Sequence, residues 1–154
     1  MKLNYFLIPS VVILVAGSGS LITQSGLTWY HSLQLPDIAP DGGLIGIVWT
    51  IIFILSAIST LLVWNQKPSN PNFKWIVKLF ITNAILNVGW SYLFFGLHRI
   101  GWPIAEMVIL NLTTIILIVL LWKRTLWSAI LLIPYVVWVV FATYLAYLIW
   151  LLNK

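Results

Sequence analysis

The chain has 154 residues, of which 62% are apolar and only 7% charged, where a soluble domain carries about 25% charged residues. So few charges cannot cover a water-facing surface, and the solvent of this chain is therefore mostly lipid. With no cysteine, disulfides, zinc–thiolate sites and a cysteine nucleophile are excluded. The net charge of +5 is dispersed among apolar segments and gives no nucleic-acid footprint.

Five apolar stretches are long enough to cross a bilayer, which takes about 20 residues of helix: Tyr5–Ile22, Leu44–Trp64, Trp75–Gly96, Pro103–Trp122 and Trp127–Leu152. Segments such as Ile47–Ile54 and Thr113–Trp122 are apolar on all sides. That suits a helix, which satisfies its own backbone in lipid, and not the alternating strands of a barrel. The expected fold is an all-α bundle of five transmembrane helices, a single integral membrane domain with no room for a soluble catalytic unit.

The first span carries Pro9, read as a packing feature, and Gly17-Ser18-Gly19-Ser20, read as small residues at a close helix contact. Lys2, the apolar run and Ala16-Gly17-Ser18 also fit a secretory leader, which an intact Met1 in the mass spectrum would rule out. A lid-like loop is expected over 23–43, holding Trp29, Tyr30, Pro36, Pro40 and Gly42-Gly43. Its length is that of a binding loop rather than a simple connection.

On the second span Trp49, Phe53, Ser56 and Thr60 form a stripe at helical spacing, and a plain connector with Pro68 and Pro71 follows. On the third, Asn83, Asn87, Ser91 and Phe94 share a face bordered by Trp90. Two amides in hydrocarbon need partners, so this face points into the bundle. It is either a structural hydrogen-bond seam or the polar floor of a ligand chamber.

Pro103 sits at the start of the fourth span. Glu106, three residues on, either complements the helix dipole or marks a functional site. Pro134 kinks the fifth span or frees a carbonyl. Beyond it Tyr135, Trp138, Ala142 and Leu145 share a face, where a large ring beside a small residue makes a slot. Such aromatic stripes are also what core or lipid-facing packing produces.

Lys2, Lys67, Lys74, Lys78, Lys123 and Arg124 fall on one side of a five-span chain, and Arg99 and Lys154 on the other. This positive-inside bias places the N-terminus in the cytoplasm and the C-terminus outside, in a bacterial cell membrane. A C-terminal reporter active only in the cytoplasm would refute it. His31 and His98 do not make a metal site by themselves, no Ser-His-acid arrangement stands out, and no cofactor is implied.

The stretch from Gly26 to Pro36 (GLTWYHSLQLP) resembles the first-loop signature of the translocator protein family, also called the tryptophan-rich sensory protein or peripheral-type benzodiazepine receptor family. Val48-Trp49, the run Leu86–Ser91, Leu93–Gly96, Arg99–Trp102 and Leu132–Ala142 match its later segments in order across the whole chain. The resemblance implies a five-helix bundle that often forms homodimers, with a hydrophobic pocket opening toward the first loop. It implies binding of porphyrins such as protoporphyrin IX, or of other flat hydrophobic ligands including sterols, and in some bacterial members light-dependent porphyrin breakdown.

Carried over, the pocket takes Tyr30 from the lid loop, Trp49 and Phe53 from the second helix, and Asn87 and Trp90 from the third. Trp102 and Ile109 come from the fourth region, and Trp138, Ala142 and Leu145 from the fifth. Where the family loop reads Pro-x-Trp-x-Pro-Pro, this chain has Pro36-Asp37-Ile38-Ala39-Pro40-Asp41, so two carboxylates replace a tryptophan and a proline. Three roles compete: a membrane receptor for a flat apolar ligand, a photochemical enzyme using Trp49 and Trp138 as electron donors, and a carrier of tetrapyrroles or sterols.

Overall fold

The computed structural model describes residues 3–66 and 71–154. Lys2 and Lys67, both counted in the charge asymmetry, lie outside them. The elements are α1 (Asn4–Tyr30), α2 (Gly42–Asn65), α3 (Phe73–Ser91) continued by a π-helical turn (Tyr92–Gly96), α4 (Gly101–Trp122), α5 (Leu126–Leu131) and α6 (Ile133–Leu152). Taking α5 and α6 as one span, five helical stretches among the described residues are long and apolar enough to cross a membrane. The outward surface is hydrocarbon: Ile13 and Val119 are 69% and 67% exposed, tolerable only where lipid replaces water.

The first helix corrects the sequence reading. It does not end near Ile22 but runs to Tyr30, so the expected loop over 23–43 shrinks to 31–41. No proline interrupts Thr23–Tyr30, and Gly26, which looked like a loop residue, is buried on the π-helical turn. A Cβ added at Gly26 would lie 2.7 Å from the Cβ of Phe95 and 2.8 Å from its Cα, so only glycine permits this approach. Seven residues earlier Gly19 also meets α3, where an added Cβ would come 3.3 Å from the Ser91 hydroxyl, whereas Gly17 faces open space. The helix passes through Pro9 without a break.

At the start of α2, Asp41 is the N-cap, and its Oδ1 accepts from the Leu44 N–H at 2.9 Å. One of the two unexpected carboxylates of the first loop therefore has a structural use. Pro134 has the expected effect: the last span breaks at Leu132, whose N–H bonds the Ala129 carbonyl at 3.1 Å, and a new helix starts with the proline in its first turn.

The spans pack in a ring: α1 against α2 and α3, α3 against α4, α4 against α5 and α6, and α2 against α5. Two core layers fill it. One holds Val63, Ile76, Leu117, Leu121, Ala129 and Leu132, beside the connections that follow α2 and α4. The other holds Ile52, Met107, Leu110, Tyr135, Val139 and Ala146, and all its ring-bearing neighbours come from the sequence stripes. In this second layer α2 and α6 touch only sparsely.

Candidate functional site

The third-helix face behaves as its spacing predicts. Asn83, Asn87, Ser91 and Phe94 are all buried. Asn83 donates to the hydroxyls of Thr113 at 2.9 Å and Thr114 at 3.0 Å on α4. Asn87 donates to the Tyr135 hydroxyl on α6 at 2.9 Å. The seam is thus structural at Asn83. One turn further along it joins the aromatic layer.

Around the Asn87–Tyr135 bond the rings converge. Trp49 meets Tyr135 edge-on at 5.9 Å and lies 5.6 Å from Phe53. Trp90 stacks on Phe94 at 5.6 Å with planes 8° apart, and Trp138 lies 5.4 Å from Phe141. Trp49, Trp90, Trp138 and Ala142 all pack on the core cluster centred on Tyr135 and Val139. Trp49, Phe53, Trp90 and Trp138 are half-buried and Leu145 is buried. The tryptophans of α2 and α6 therefore keep part of their surface outside the core.

Tyr30 joins this set from the end of α1 rather than from a loop, with Phe95 at 5.7 Å and Phe94 at 6.1 Å. Two of the expected residues fall elsewhere. Trp102 is 75% exposed and Ile109 is 52% exposed. On α4 they lie seven residues apart on the outward flank, while Pro103, Met107, Leu110 and Thr114 take the inward one. The fourth helix instead packs Ile104 against this layer.

The sequence did not reveal the structure that follows α3 beside this layer. The π-helical turn inserts one extra residue, so consecutive Phe94 and Phe95 are both buried, and Leu97 N–H bonds the Tyr92 carbonyl at 2.8 Å. His98 follows in the left-handed region at φ 54° and stacks on Trp29 at 4.5 Å with planes 19° apart. Above α6, Asn153 clasps the loop: its Oδ1 accepts from Gln34 N–H at 3.0 Å and its Nδ2 donates to the Gln34 carbonyl at 2.9 Å. A separate groove of about 410 Å³ runs along the outer flank of α4 and α6, lined by Val108, Leu112, Thr143 and Tyr147 among others. It is not the tryptophan site.

Several buried polar atoms have no protein partner: the indole N–H groups of Trp90 and Trp138 in this layer, and both carboxylate oxygens of Glu106 on α4. Helix α4 begins at Gly101, which puts Glu106 beyond the first turn, so dipole complementation does not explain it.

The fold and site define a class: a multi-pass α-helical membrane protein with an aromatic layer in one half of its bundle and a polar hydrogen bond at that layer's centre. The chain belongs to the TspO/MBR family, whose model matches residues 7–151. It is 35% identical to the tryptophan-rich protein TspO of Bacillus cereus over 82% of this chain and 81% of that one. It is 31% identical to protein CrtK of Rhodobacter capsulatus, over 99% and 95% of the two chains. The human translocator protein is 27% identical over 96% of this chain and 87% of its own.

Proposed function

We propose that this protein is a membrane receptor or sensor for flat hydrophobic ligands of the porphyrin type, such as protoporphyrin IX, held between α2, α3 and α6. One observation carries the reading: half-buried Trp49, Phe53, Trp90 and Trp138 gather around a buried Asn87–Tyr135 hydrogen bond. Large rings supply stacking area, and a sparse polar centre supplies orientation. Ala142 leaves space beside Trp138, Leu145 and Tyr30 close the edges, and Trp102 and Ile109 take no part. Relatives named tryptophan-rich protein and translocator protein support the same direction.

The test is titration of protoporphyrin IX into the protein in lipid nanodiscs. Saturable quenching of tryptophan fluorescence is expected, weakened in Trp138→Phe and in Ala142→Leu, which fills the slot. Absence of saturable quenching sinks the proposal.

A second reading is photochemical, favoured by the contact of Trp49 with Tyr135 at 5.9 Å. A photoexcited porphyrin is reduced by one electron and an indole is oxidised by one. Illuminated complexes of the wild type and of a Trp49→Phe, Trp138→Phe double variant that bleach identically remove this reading. Carriage of the ligand across the bilayer predicts flux into liposomes above a protein-free control.

A further inference from the structure

We propose that the end of the bundle where α3 begins and α4 ends holds the headgroup of an anionic phospholipid, with Lys74, Lys78, Lys123 and Arg124 as the cations that bind its phosphate. This surface lies beside the layer of Val63, Ile76 and Leu117 rather than the aromatic one. It is independent of the porphyrin reading.

Packing brings the four cations to one end. Ile76 of α3 and Leu121 of α4 sit in the same core layer, so the first turns of α3 lie beside the last turn of α4. Lys74 and Lys78 are one turn apart on α3 and both are exposed, while Ile76 between them is buried. Lys123 and Arg124 follow the last residue of α4 and are also exposed.

No side-chain carboxylate of the chain lies there to balance them. The chain has three acidic residues, Asp37, Asp41 and Glu106. Asp41 caps the start of α2 and Asp37 lies in the loop just before it. Glu106 is near the start of α4, about 25 Å of helix from Lys123. Like charges one turn apart on a helix repel. The dipole of α4 favours Lys123 and Arg124 at its C-terminal end, but Lys74 stands in the first turn of α3, where the dipole opposes a cation. Intramolecular electrostatics therefore accounts for one pair and leaves the other uncompensated.

The aromatic residues fix the depth. Trp75 and Trp127 are 64% and 72% exposed at this same end, and the Lys78 ammonium lies 4.7 Å over the Trp75 ring. Exposed indoles of a membrane protein sit at headgroup level. The anion available at that level is the lipid phosphodiester. A zwitterionic headgroup carries its own cation, so four uncompensated Lys and Arg side chains select a lipid with net negative charge.

The test is native mass spectrometry of the full chain in detergent with equimolar phosphatidylglycerol and phosphatidylcholine of identical acyl chains. Each cation near an anionic lipid contributes about fivefold in binding, so the wild type is expected to retain phosphatidylglycerol by more than about tenfold. Lys74→Gln with Lys78→Gln, and Lys123→Gln with Arg124→Gln, should each cut that preference by about tenfold or more. Arg99→Gln with Lys154→Gln, which removes the two cations of the opposite end, should leave it unchanged. Detergent has no sides, so a variant that inserts in the reverse orientation reports equally well. Equal retention of the two lipids by the wild type overturns the proposal without any variant having to fold. So does an equal loss of preference in the Arg99, Lys154 pair, which would make the effect one of net charge. Displacement of the retained lipid by an equal concentration of inorganic phosphate also overturns it, because the occupant would then be a free anion.

Discussion

The same substitution at two places on α1 separates helix propensity from packing. Both Gly17 and Gly26 lie inside this helix, and alanine at either gains about 1 kcal/mol of helix propensity. At Gly17 the new methyl meets nothing within 4 Å, so Gly17→Ala is expected to be neutral or stabilising. At Gly26 it would lie 2.7 Å from the Phe95 Cβ and 2.8 Å from its Cα, and nearer still to the Phe95 carbonyl oxygen. Those atoms are backbone or fixed to it, so α1 and the π-helical turn must move apart. Overpacking of this kind costs about 1–3 kcal/mol. Because the propensity term is common to both variants, the difference in stability between them isolates the clash and should be about 1–3 kcal/mol in favour of Gly17→Ala. For a chain of this length that corresponds to roughly 2–4 °C in Tm per kcal/mol, readable by thermal unfolding in detergent. Gly26→Ala should also displace Phe94 and Phe95, and with them the face on which Trp90 stacks, so protoporphyrin quenching should weaken in that variant alone. Equal Tm values for the two variants would refute the close approach of α1 to Phe95.

Four further outcomes are expected. Asn153→Ala removes the clasp on the Gln34 backbone and should speed hydrogen exchange across 31–41 while leaving α3 unchanged. His98→Gly and His98→Ala both lose the stack on Trp29, but only glycine relieves the left-handed backbone at φ 54°. The glycine variant should therefore be the more stable by about 1 kcal/mol. Tyr135→Phe and Asn87→Leu each break the bond between α3 and α6, and a double-mutant cycle by thermal or denaturant unfolding should give a coupling of about 0.6–1.7 kcal/mol. Pro134→Ala restores a backbone donor at the break after Leu132 and should make the last span continuous. That variant should have a raised Tm and weaker acrylamide quenching of its tryptophans, as α6 closes on α2.

The spans were legible because lipid imposes one rule on every residue of a helix: it must be apolar or partnered. That rule located Asn83 and Asn87 on a buried face, whereas Trp49, Trp90 and Trp138 were singled out by the family resemblance. The rule says nothing about which way an apolar residue turns. Trp102 and Ile109 suit hydrocarbon as well as a pocket wall, and only the packing of α4 turned them outward. The end of α1 was missed for a related reason. Gly26 reads as a turn residue in isolation, and its helical role exists only because Phe95, far along the chain, occupies the space a side chain would need.

The two departures from regular helix bear on the same layer. The half of the bundle containing Val63, Ile76 and Leu117 is closed by regular packing of α2 on α5 and of α3 on α4. The break at Leu132 ends α5 where that layer ends and starts α6 afresh, with contact to α2 that is sparse. The π-helical turn then brings two consecutive phenylalanines inward at the far end of α3. One irregularity separates the helices that carry Trp49 and Trp138, and the other supplies the ring on which Trp90 stacks. A bundle built only for stability would keep both helices regular, because each departure gives up backbone hydrogen bonds in a medium that offers no replacement. Their coincidence at the layer that also holds the unpartnered indole N–H groups of Trp90 and Trp138 is what the proposed ligand site would use and ordinary aromatic packing would not need.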